Sequence, residues 1–578
     1  MLRLLLIAGI AAALAGAPPA GAVPTLLMPG VTYDKQVQFT SHGPVVIHVL
    51  IAPKPGGLWS LRPVLSNESI LGTEKLTQIE QRLSPSETTV GVNGDLFGAD
   101  GHPQGILMRN GLLEHTPLEG RSSIGIDGQG TLHIDRVALI ATWQGSGQRR
   151  AVSTVNEPVR PNSVSIFTPA WGATTPASPG TVEAVLDPFP GVTPNVPTSG
   201  RVAQVTQNGN TPIPADGAVL VGRGTAAAKL AAEAPVGQTV VLRPVLRPTW
   251  TDVVDAMGGG PLIVKAGIPV FRADEAFPTD QLLPRTARAG VGQLADGRIL
   301  LVTADGGHPG YSNGLTNFEL AQTMARLGAV TACALGSGYS TTMAFDGQLL
   351  NRPAAPGGEQ PVADALVAAY AGVYAPPAPT QVLSPNGDGV AEQQTLSYKI
   401  VRPSTVNANL LGPDGVARWT YSGPQEPGVY SVAWTGVRAD GSSDAEGFYH
   451  WVVEATDNTG QASTVDRRFA INNTLGFAKP VAPPLAVPRL TPRAVATFQL
   501  THAANLRAKI ETQAGAVLRT LGKAHADPGA VTVVWDGRTD DGAFVYSGQY
   551  VARLTATNEL GSVSLTTLFD ARRLPGHG

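Results

Sequence analysis

The sequence predicts an α/β (α+β) N-terminal domain of mixed sheets and helices, followed by two all-β sandwiches. Before residue 375, apolar runs typical of buried strands accompany an amphipathic helical pattern. Beyond it, two segments alternate apolar and polar residues with a period of two, as short antiparallel strands do. At 578 residues, the chain is long enough for roughly three or four domains.

Composition and charge limit the classes of partner. Charged residues make up 15% of the chain and the formal net charge is −3, so the basic stripe of a nucleic-acid-binding protein is not expected. The chain contains 67 Gly and 48 Pro, and aromatic residues make up 6%. This composition indicates many tight turns and a protein rich in strands.

The N-terminus has the pattern of a secretion signal. Arg3 precedes an apolar run over residues 4–16, and Ala20-Gly21-Ala22 forms a small-x-small cleavage site. We therefore expect residues 1–22 to be a signal peptide and the protein to be secreted or associated with the cell surface. No later stretch approaches the roughly 20 apolar residues of a membrane-spanning helix, so no transmembrane anchor is expected.

Two proline-rich segments, residues 375–380 and 479–492, are expected to be stiff linkers. They divide the chain into an N-terminal domain of residues 23–374 and two modules of residues 381–478 and 493–572.

The two modules share a pattern that predicts a tandem repeat. Six residues of the first recur in the second 101 positions later: Trp434, Gly436, Asp440, Gly441, Gly447 and Tyr449 correspond to Trp535, Gly537, Asp541, Gly542, Gly548 and Tyr550. Alternating stretches such as "YHWVVEAT" and "QYVARLTAT" surround D-G turns and indicate a β-sandwich. The Trp and Tyr residues are expected in the core and at strand corners.

With "LSPNGDGVAE" and the W-x-G…D-G…G-x-Y pattern, these modules resemble Ig-like domains of the flagellar hook-capping type. Such modules mostly space, stabilise or attach other domains. Asn386 and Asp388 fit either a calcium loop or an ordinary turn, and the absence of the full D-x-[DN]-x-D-G pattern favours the turn.

The N-terminal domain contains recognisable single elements. "VVIHVLIA" and "ILLVTADGG" have the pattern of buried strands. "TNFELAQTMARLGA" predicts an amphipathic helix that ends at Gly328, with apolar positions Phe318, Leu320, Ala321, Met324 and Leu327. Strand, turn and helix in this order favour an α/β fold with its site at the strand ends.

Two stretches near glycines supply the first candidate residues. Asn93 and Asp95 follow an apolar strand in "GVNGDLFG", although N-G is also a strong signal for a simple hairpin turn. Arg121 and Arg288 both begin an R-x-x-aliphatic-G pattern. Either arginine could hold a phosphate or carboxylate with two donors, or be a solvated charge at a strand end.

Two further stretches supply the remaining candidates. Asp305 ends a buried strand and His308 follows it, while Glu319 lies in the first turn of the helix, where it could also serve only as a cap. The loop "TACALGSGYSTTM" offers backbone N–H groups and the hydroxyls of Ser340, Thr341 and Thr342 to a phosphate or sugar, but no acid or histidine.

The single cysteine, Cys333, cannot form an internal disulfide. A small buried hydrophobic residue is the favoured interpretation, with a thiol nucleophile as the alternative. Without a His/Cys cluster, the sequence assigns no metal ligands and identifies no cofactor.

The four stretches together resemble the phosphodiester glycosidase family over residues 40–372. The resemblance is carried by "VNGDLF", "IPADGAVLVGRG", "GGGPLIVKAG", "RAGVGQLADGRILLVTADG", "FELAQTMARLGA", "SGYSTTM" and "LLNRPAAPGGEQPVADAL". It implies hydrolysis of a sugar 1-phosphodiester, and therefore a glycan or phosphorylated-sugar substrate. Bacterial members of the family are mostly exported.

The resemblance implies the site residues Asn93, Asp95, Arg288, Asp305 and Glu319, and the stretches themselves add Arg121, His308 and the loop hydroxyls. Asp95, Asp305 and Glu319 are the candidate catalytic acids, while Asn93, Arg121, Arg288, His308, Ser340, Thr341 and Thr342 are the candidate substrate-binding residues. The chain departs from the family in the loop, where Ala334, Gly336 and Tyr339 replace Asn, Asp and Gly. A glycosidase usually needs two carboxyl groups, so the missing Asp leaves catalysis open.

Three functions are therefore consistent with the sequence. The protein is a hydrolase with an altered site, a family member that binds glycans without catalysis, or a surface adhesion or wall-binding protein in which the two Ig-like modules carry the function. Hydrolysis predicts at least two carboxylates facing Arg288. Binding alone predicts glycines, hydroxyls and arginines without an acid pair.

Overall fold

The computed structural model describes residues 24–270, 275–277, 282–438, 441–488 and 491–574. The predicted signal peptide, residues 1–22, lies outside the described residues. The chain forms two compact units that divide between Tyr370 and Ala371. No helix in the described part of the chain is long and apolar enough to cross a membrane.

The expected α/β (α+β) N-terminal domain is wrong, because the protein is nearly all β. Strands account for 52% of the structure and helices for 7%. In the described part of the N-terminal unit, every strand pair except one is antiparallel. The α-helices of the described residues are α1 (Leu76–Leu83), α2 (Thr225–Glu233) and α3 (Asn317–Arg326).

Four sheets build the N-terminal unit. The first contains, in spatial order, β1 (Thr25–Met28), β2 (Val31–Thr40), β3 (Gly43–Ala52), β22 (Ile299–Ala304), β21 (Arg288–Leu294), β23 (Ala329–Ala334), β19 (Leu262–Lys265) and β20 (Ile268–Pro269). The second contains β11 (Arg150–Val152), β10 (Ala138–Gln144), β17 (Thr239–Arg247), β15 (Thr198–Gln207), β14 (Thr181–Leu186), β16 (Ala218–Arg223), β13 (Val164–Phe167) and β12 (Thr154–Val155).

The other two sheets have five strands each. The third contains β7 (Leu112–His115), β6 (Leu107–Arg109), β18 (Val253–Gly258), β8 (Ser122–Asp127) and β9 (Leu132–Arg136). The fourth contains β25 (Gln348–Leu349), β24 (Met343–Phe345), β5 (Thr88–Asn93), β26 (Asp364–Tyr370) and β4 (Trp59–Leu65).

The strands predicted from "VVIHVLIA" and "ILLVTADGG" are confirmed as parts of β3 and β22, and the helix predicted from "TNFELAQTMARLGA" as α3. The prediction of the fold failed because every residue of β21, β22 and β26 is buried. Continuous apolar runs are typical of parallel strands covered by helices, but here the strands are antiparallel neighbours.

The C-terminal unit contains two β-sandwich modules. The five-stranded sheet of the first contains β27 (Val382–Leu383), β33 (Ala462–Ile471), β32 (Gly447–Asp457), β29 (Ser404–Leu411) and β30 (Ala417–Gln425), and its smaller sheet contains β28 (Gln394–Ile400) and β31 (Gly428–Trp434). In the loop before β28, Asn386 and Asp388 accept backbone N–H groups of their own turn.

The second module has a similar arrangement. Its five-stranded sheet contains β35 (Leu485–Val487), β41 (Gly561–Arg573), β40 (Gly548–Asn558), β37 (Ala504–Thr512) and β38 (Val517–Ala526), and its smaller sheet contains β34 (Leu475–Pro480), β36 (Arg493–Leu500) and β39 (Gly529–Trp535). Tyr449 and Trp535 are fully buried in the cores of the two modules.

Candidate functional site

The loop of residues 335–342 connects β23 of the first sheet with β24 of the fourth, and its backbone is held by its surroundings. The N–H groups of Leu335, Gly336 and Gly338 donate to backbone carbonyls of Ala289, Gly94 and Ala287 at 3.0, 2.8 and 2.9 Å. These three N–H groups are therefore engaged within the protein and do not cradle an anion.

Asn93 braces this loop. It lies at the end of β5 and is fully buried. Its Oδ1 accepts the N–H of Thr342 at 3.1 Å, and its Nδ2 donates to the carbonyl of Gly336 at 2.9 Å. Both ends of the amide are used, so Asn93 positions the loop. The chain does not return through a two-residue hairpin after Gly94, because the next strand, β6, begins at Leu107.

The position of the missing family acid is closely packed. A Cβ atom on Gly336 would lie 2.9 Å from Nδ2 of Asn93 and 3.1 Å from the carbonyl oxygen of Gly94. Contacts this short require the neighbouring atoms to shift. The brace by Asn93 thus occupies space that a side chain at residue 336 needs.

The three loop hydroxyls differ in their surroundings. Ser340 is half-buried and its carbonyl accepts the hydroxyl of Thr342 at 3.2 Å. Thr341 is fully buried, and its Oγ1 has no hydrogen-bond partner among the described residues. His308, which follows Asp305 in the sequence, lies with its Nε2 3.0 Å from the carbonyl oxygen of Pro353.

Asp305 is fully buried within a network of hydrogen bonds. Its Oδ2 lies 3.0 Å from Nε2 of His48 and accepts the hydroxyl of Tyr311 at 3.2 Å. Its Oδ1 accepts from Nδ2 of Asn351 at 3.2 Å and from the N–H of Arg352 at 3.0 Å. With four neighbours on two oxygens, this carboxylate is saturated and acts as an anchor.

The network continues from Asp305 in two directions. Nδ1 of His48 lies 2.7 Å from the hydroxyl of Tyr33, whose pKa is raised to about 12 by burial and then by the charge of Asp305. Asn351 donates to the carbonyl of Thr341 at 3.2 Å and accepts the N–H of Met343 at 2.7 Å. Asp305 therefore connects the first sheet to the far end of the loop.

Glu319 caps α3. Its Oε2 accepts the N–H and hydroxyl of Thr316, the residue before the helix, at 2.8 and 3.0 Å, and Arg285 donates to Oε1 at 2.5 Å. Burial would raise its pKa, but the hydrogen bonds from Arg285 and Thr316 outweigh burial and lower it. These contacts form a capping box, so Glu319 has a structural role.

Arg288 begins β21 and is 2% exposed. Its Nε donates to the carbonyl of Leu315 at 3.1 Å, and its Nη2 to that of Pro284 at 2.6 Å. Burial lowers its pKa to about 10. These bonds hold the segment before α3 in place.

Arg121 has a different environment at the start of β8. It is half-buried, with Nε donating to the carbonyl of Ala276 and Nη1 to Oε1 of Gln104, both at 2.8 Å. Its guanidinium lies 4.4 Å from the ring centroid of Phe277. Among the described residues, none accepts from its Nη2. Arg121 also lies close enough to Asp95 to lower the pKa of that carboxyl.

Asp95 and Asp364 form a buried acidic pair. They are 5% and 0% exposed, and Oδ1 of Asp364 accepts the N–H of Asp95 at 2.8 Å. Burial raises the pKa of Asp95 to about 6. Hydrogen bonds from the N–H groups of Leu96 and Gly105 and the charge of Arg121 lower the pKa, but by less than burial raises it. Burial, and then the charge of Asp95, raises the pKa of Asp364 to about 8. Near neutral pH the raised pKa values leave the pair with about one proton on its two carboxyl groups.

Glycines enclose the carboxylate of Asp95. Its Oδ2 accepts the N–H of Gly105 at 2.6 Å. A Cβ atom on Gly258 would lie 2.0 Å from the same oxygen, and one on Gly105 would lie 2.8 Å from it. Side chains at these two positions would displace the carboxylate, so the acidic pair depends on close backbone approach.

A cavity of about 540 Å³ lies next to Gln104, although Asp95, Asp364 and Arg121 are not among its lining residues. It is lined in part by Gln104, the partner of Arg121, and by His102, His115 and Glu157. His115 is 1% exposed, and its Nδ1 lies 2.7 Å from the carbonyl of Gly105. Its Nε2 has no hydrogen-bond partner among the described residues. Burial lowers the pKa of His115 to about 4, so the ring is neutral at physiological pH.

The predicted residues thus fall into separate groups. Asp95 and Arg121 lie together, whereas Asp305 and Asn93 brace the two ends of the loop and Glu319 caps a helix. Asp364 and His48 were missed, although each is a polar residue inside an apolar strand, "VADALVAAY" and "VVIHVLIA". A single polar residue within an apolar strand was therefore the sequence feature that could have identified both.

Cys333 is buried in β23, and burial raises the pKa of its thiol well above the usual value. Within the described residues, no group of three His, Cys, Asp or Glu side chains is arranged to hold a metal ion.

The molecule is thus a two-unit protein, with a β-rich N-terminal unit that contains a buried acidic pair beside an arginine, and a C-terminal pair of β-sandwich modules. Residues 193–369 match the phosphodiester glycosidase family, and residues 490–559 match the FlgD Ig-like domain. These two matches confirm the predicted resemblance to the phosphodiester glycosidase family and to Ig-like domains of the flagellar hook-capping type. Asn93, Asp95 and Arg121 precede the matched segment, and Asp364 lies within it.

Several solved structures are similar to the chain. A hypothetical protein from Synechocystis is 26% identical with a TM-score of 0.50, over 59% of this chain and 62% of that protein. A protein from Burkholderia pseudomallei is 22% identical, with a TM-score of 0.47 over 56% and 74% of the two chains.

A further similar structure is the catalytic domain of zebrafish N-acetylglucosamine-1-phosphodiester alpha-N-acetylglucosaminidase, auto-inhibited by its pro-peptide. It is 12% identical with a TM-score of 0.33, and the similarity covers 60% of this chain and 84% of that one. No curated protein matches the chain.

Proposed function

We propose that the N-terminal unit hydrolyses a sugar 1-phosphodiester, with Asp95 as general base and Arg121 as the phosphate-binding group. The acidic pair of Asp95 and Asp364 is the observation that carries this proposal. The match to the phosphodiester glycosidase family supports the substrate class.

The charge states of the pair suit this reaction. Between about pH 6 and 8 the pair carries about one negative charge, which the proposal assigns to Asp95. Asp95 would take a proton from water while the water oxygen attacks the anomeric carbon. The bond from that carbon to the phosphate oxygen breaks, and the phosphomonoester leaves with the electron pair. A phosphate leaving group needs charge stabilisation more than a proton, and in this proposal Nη2 of Arg121 supplies it.

The cavity beside Gln104 provides room for the sugar. Its volume of about 540 Å³ falls within the range of roughly 300–1,000 Å³ usual for ligand pockets. Gln104 connects the cavity to Arg121 through a hydrogen bond of 2.8 Å. A sugar in the cavity would thus lie beside the phosphate-binding arginine.

The test uses the full chain and the p-nitrophenyl phosphodiesters of glucose 1-phosphate and N-acetylglucosamine 1-phosphate, with products identified by mass spectrometry. We expect free sugar and p-nitrophenyl phosphate. Asp95→Asn should lower kcat by about 10²–10⁴-fold, and Arg121→Ala should also lower turnover. Glu319→Gln, a carboxylate change at a helix cap, is the matched control and should keep wild-type turnover. Full activity in Asp95→Asn would refute the assigned base.

A second candidate is glycan binding without turnover. It is favoured by the loop of residues 335–342, which contains no acid and has no room for one at Gly336. In that case the wild-type protein would bind both phosphodiesters in calorimetry and release no product. Arg121→Ala would then weaken binding while Asp95→Asn would not.

We also propose that the protein is exported to the medium or the cell surface, on the basis of its N-terminal sequence pattern. Expression of the full sequence in a bacterial host, followed by fractionation and mass spectrometry of the N-terminus, tests this. A cytoplasmic product that retains Met1 would contradict it, whereas an exported product should begin at Val23.

A further inference from the structure

An aromatic depression lies on the first β-sandwich module, far along the sequence from the acidic pair. It has a volume of about 430 Å³ and is lined mainly by Tyr398, Trp419, Tyr421 and Tyr430; we call these four residues the aromatic pocket. They lie on β28, β30 and β31, where the edge strand of the larger sheet passes into the smaller one.

The rings are arranged as a supported platform. Tyr398 and Tyr430 stack with centroids 5.5 Å apart and an interplanar angle of 22°. Trp419 lies against the buried Trp451, with centroids 5.4 Å apart and an angle of 46°. Tyr398 is buried, while Trp419, Tyr421 and Tyr430 are half-buried and present part of their rings to solvent.

The tyrosine hydroxyls already donate their protons within the protein. The acceptors lie 2.8–3.0 Å away: Oε1 of Gln425 for Tyr398, the carbonyl of Pro424 for Tyr421, and the carbonyl of Glu426 for Tyr430. Each hydroxyl oxygen therefore has only its lone pairs left for a ligand. A matching ligand must bring hydrogen-bond donors together with an apolar face.

The second module shows that the fold does not require this aromatic set. Its strand ladders put Phe498, Arg519, Leu521 and Val531 at the positions of Tyr398, Trp419, Tyr421 and Tyr430. The underlying Trp451 is replaced by Ala552 in the same registers. The second module forms the same five-stranded arrangement without these rings, so packing alone does not account for them.

We infer that the aromatic pocket binds a sugar ring of a neutral glycan. A pyranose has one face of C–H groups that can lie on an aromatic ring and a rim of hydroxyl donors that can reach the tyrosine oxygens. The volume is in the range of small-molecule pockets. This second site does not depend on hydrolysis by the N-terminal unit.

A quaternary ammonium group is the competing ligand, since aromatic cages with a nearby acid bind such cations. Glu426 lines the pocket, but the stacked pair Tyr398 and Tyr430 uses a face of each ring on the other. The rings therefore form an open aromatic surface and do not surround a single point as a cage does. An open aromatic surface favours a sugar ring over a quaternary ammonium group.

The test applies the full chain to an array of neutral β-glucan, chitin, galactan and mannan oligosaccharides. The main variant, Trp419→Arg/Tyr421→Leu/Tyr430→Val, carries the residues of the second module, which that fold accommodates. We expect the wild-type protein to bind at least one glycan and the variant to bind it at least tenfold more weakly, the scale for losing aromatic stacking. Tyr546→Ala removes a 74% exposed tyrosine of the second module and should bind as the wild type does.

Three outcomes would overturn the inference. The wild-type protein could bind no glycan on the array, or the triple variant could bind as tightly as the wild type, which would put the glycan elsewhere. Choline chloride could bind the wild type and not the triple variant while no glycan does, which would identify a site for quaternary ammonium groups. Because these glycans lack a phosphodiester, none of the results depends on turnover by the N-terminal unit.

Discussion

Replacing Asp364 with asparagine tests the acidic pair directly. Asp364→Asn keeps the shape of the side chain and the acceptor for the N–H of Asp95, which lies 2.8 Å away, but removes the ionisable group. In the wild-type protein the pKa of Asp364 is raised to about 8 from an ordinary value of 3.8, chiefly by burial. The substitution therefore mimics the protonated form that the folded protein holds at neutral pH.

The sign of the effect follows from linkage. Because the folded pKa lies above the unfolded one, the contribution of Asp364 to stability is fully present below about pH 4 and is lost as the pH rises through about 8. The shift is roughly four pKa units at about 1.4 kcal/mol each, so the wild type loses on the order of 5–6 kcal/mol between these limits. The Asp364→Asn variant does not lose this stability as the pH rises, because asparagine does not ionise.

The assay is urea unfolding of the full chain, probed by brief proteolysis and mass spectrometry of peptides from residues 43–52, so that the N-terminal unit is followed by itself. The unfolding free energy of Asp364→Asn relative to wild type should rise steadily from pH 5 to pH 8 and then level off. Asp252→Asn, which removes an exposed carboxylate, should show no such trend. A constant difference across this range would refute the raised pKa of Asp364.

Three further predictions concern other parts of the N-terminal unit. Gly258→Ala would place a Cβ atom 2.0 Å from Oδ2 of Asp95; we expect a loss of about 1–3 kcal/mol in unfolding free energy and lower turnover, while Gly128→Ala, with no atom within 4 Å, should be neutral in both measurements. Glu319→Gln should cost about 0.5–1 kcal/mol in urea unfolding without changing kcat. The buried thiol of Cys333, with its raised pKa, should react with Ellman's reagent only after denaturation, and rapid reaction of the native protein would contradict its burial.

Local patterns predicted elements well because their causes are local. The helix α3 forms where Thr316 and Glu319 make a capping box, and it ends where Gly328 adopts a φ of +97°. Both features can be read within a dozen residues of sequence. The strands β3 and β22 were predicted equally well from their apolar runs.

The arrangement of the strands could not be predicted in the same way. Asp95 meets Asp364 across 269 residues of chain, and His48 meets Asp305 across 257. A strand buried on both faces has the same pattern whether its cover is a helix or another sheet. The sequence therefore favoured an α/β fold. Of the two carboxyl groups, which only strand pairing brings together, Asp95 was predicted and Asp364 was missed.

The packing around Gly336 bears on whether the missing family acid could be put back. Returning an aspartate there puts its Cβ 2.9 Å from Nδ2 of Asn93, so the amide that donates to the carbonyl of Gly336 would have to shift. A displaced Asn93 would weaken the side-chain support of the loop, since the bonds of Asn351 and Asp305 reach only its far end. Gly336→Asp should therefore destabilise the unit rather than restore a simpler active site. In the proposed reaction the charge lies instead on Asp95, whose carboxylate is enclosed by Gly105 and Gly258 and whose N–H is bonded to Asp364.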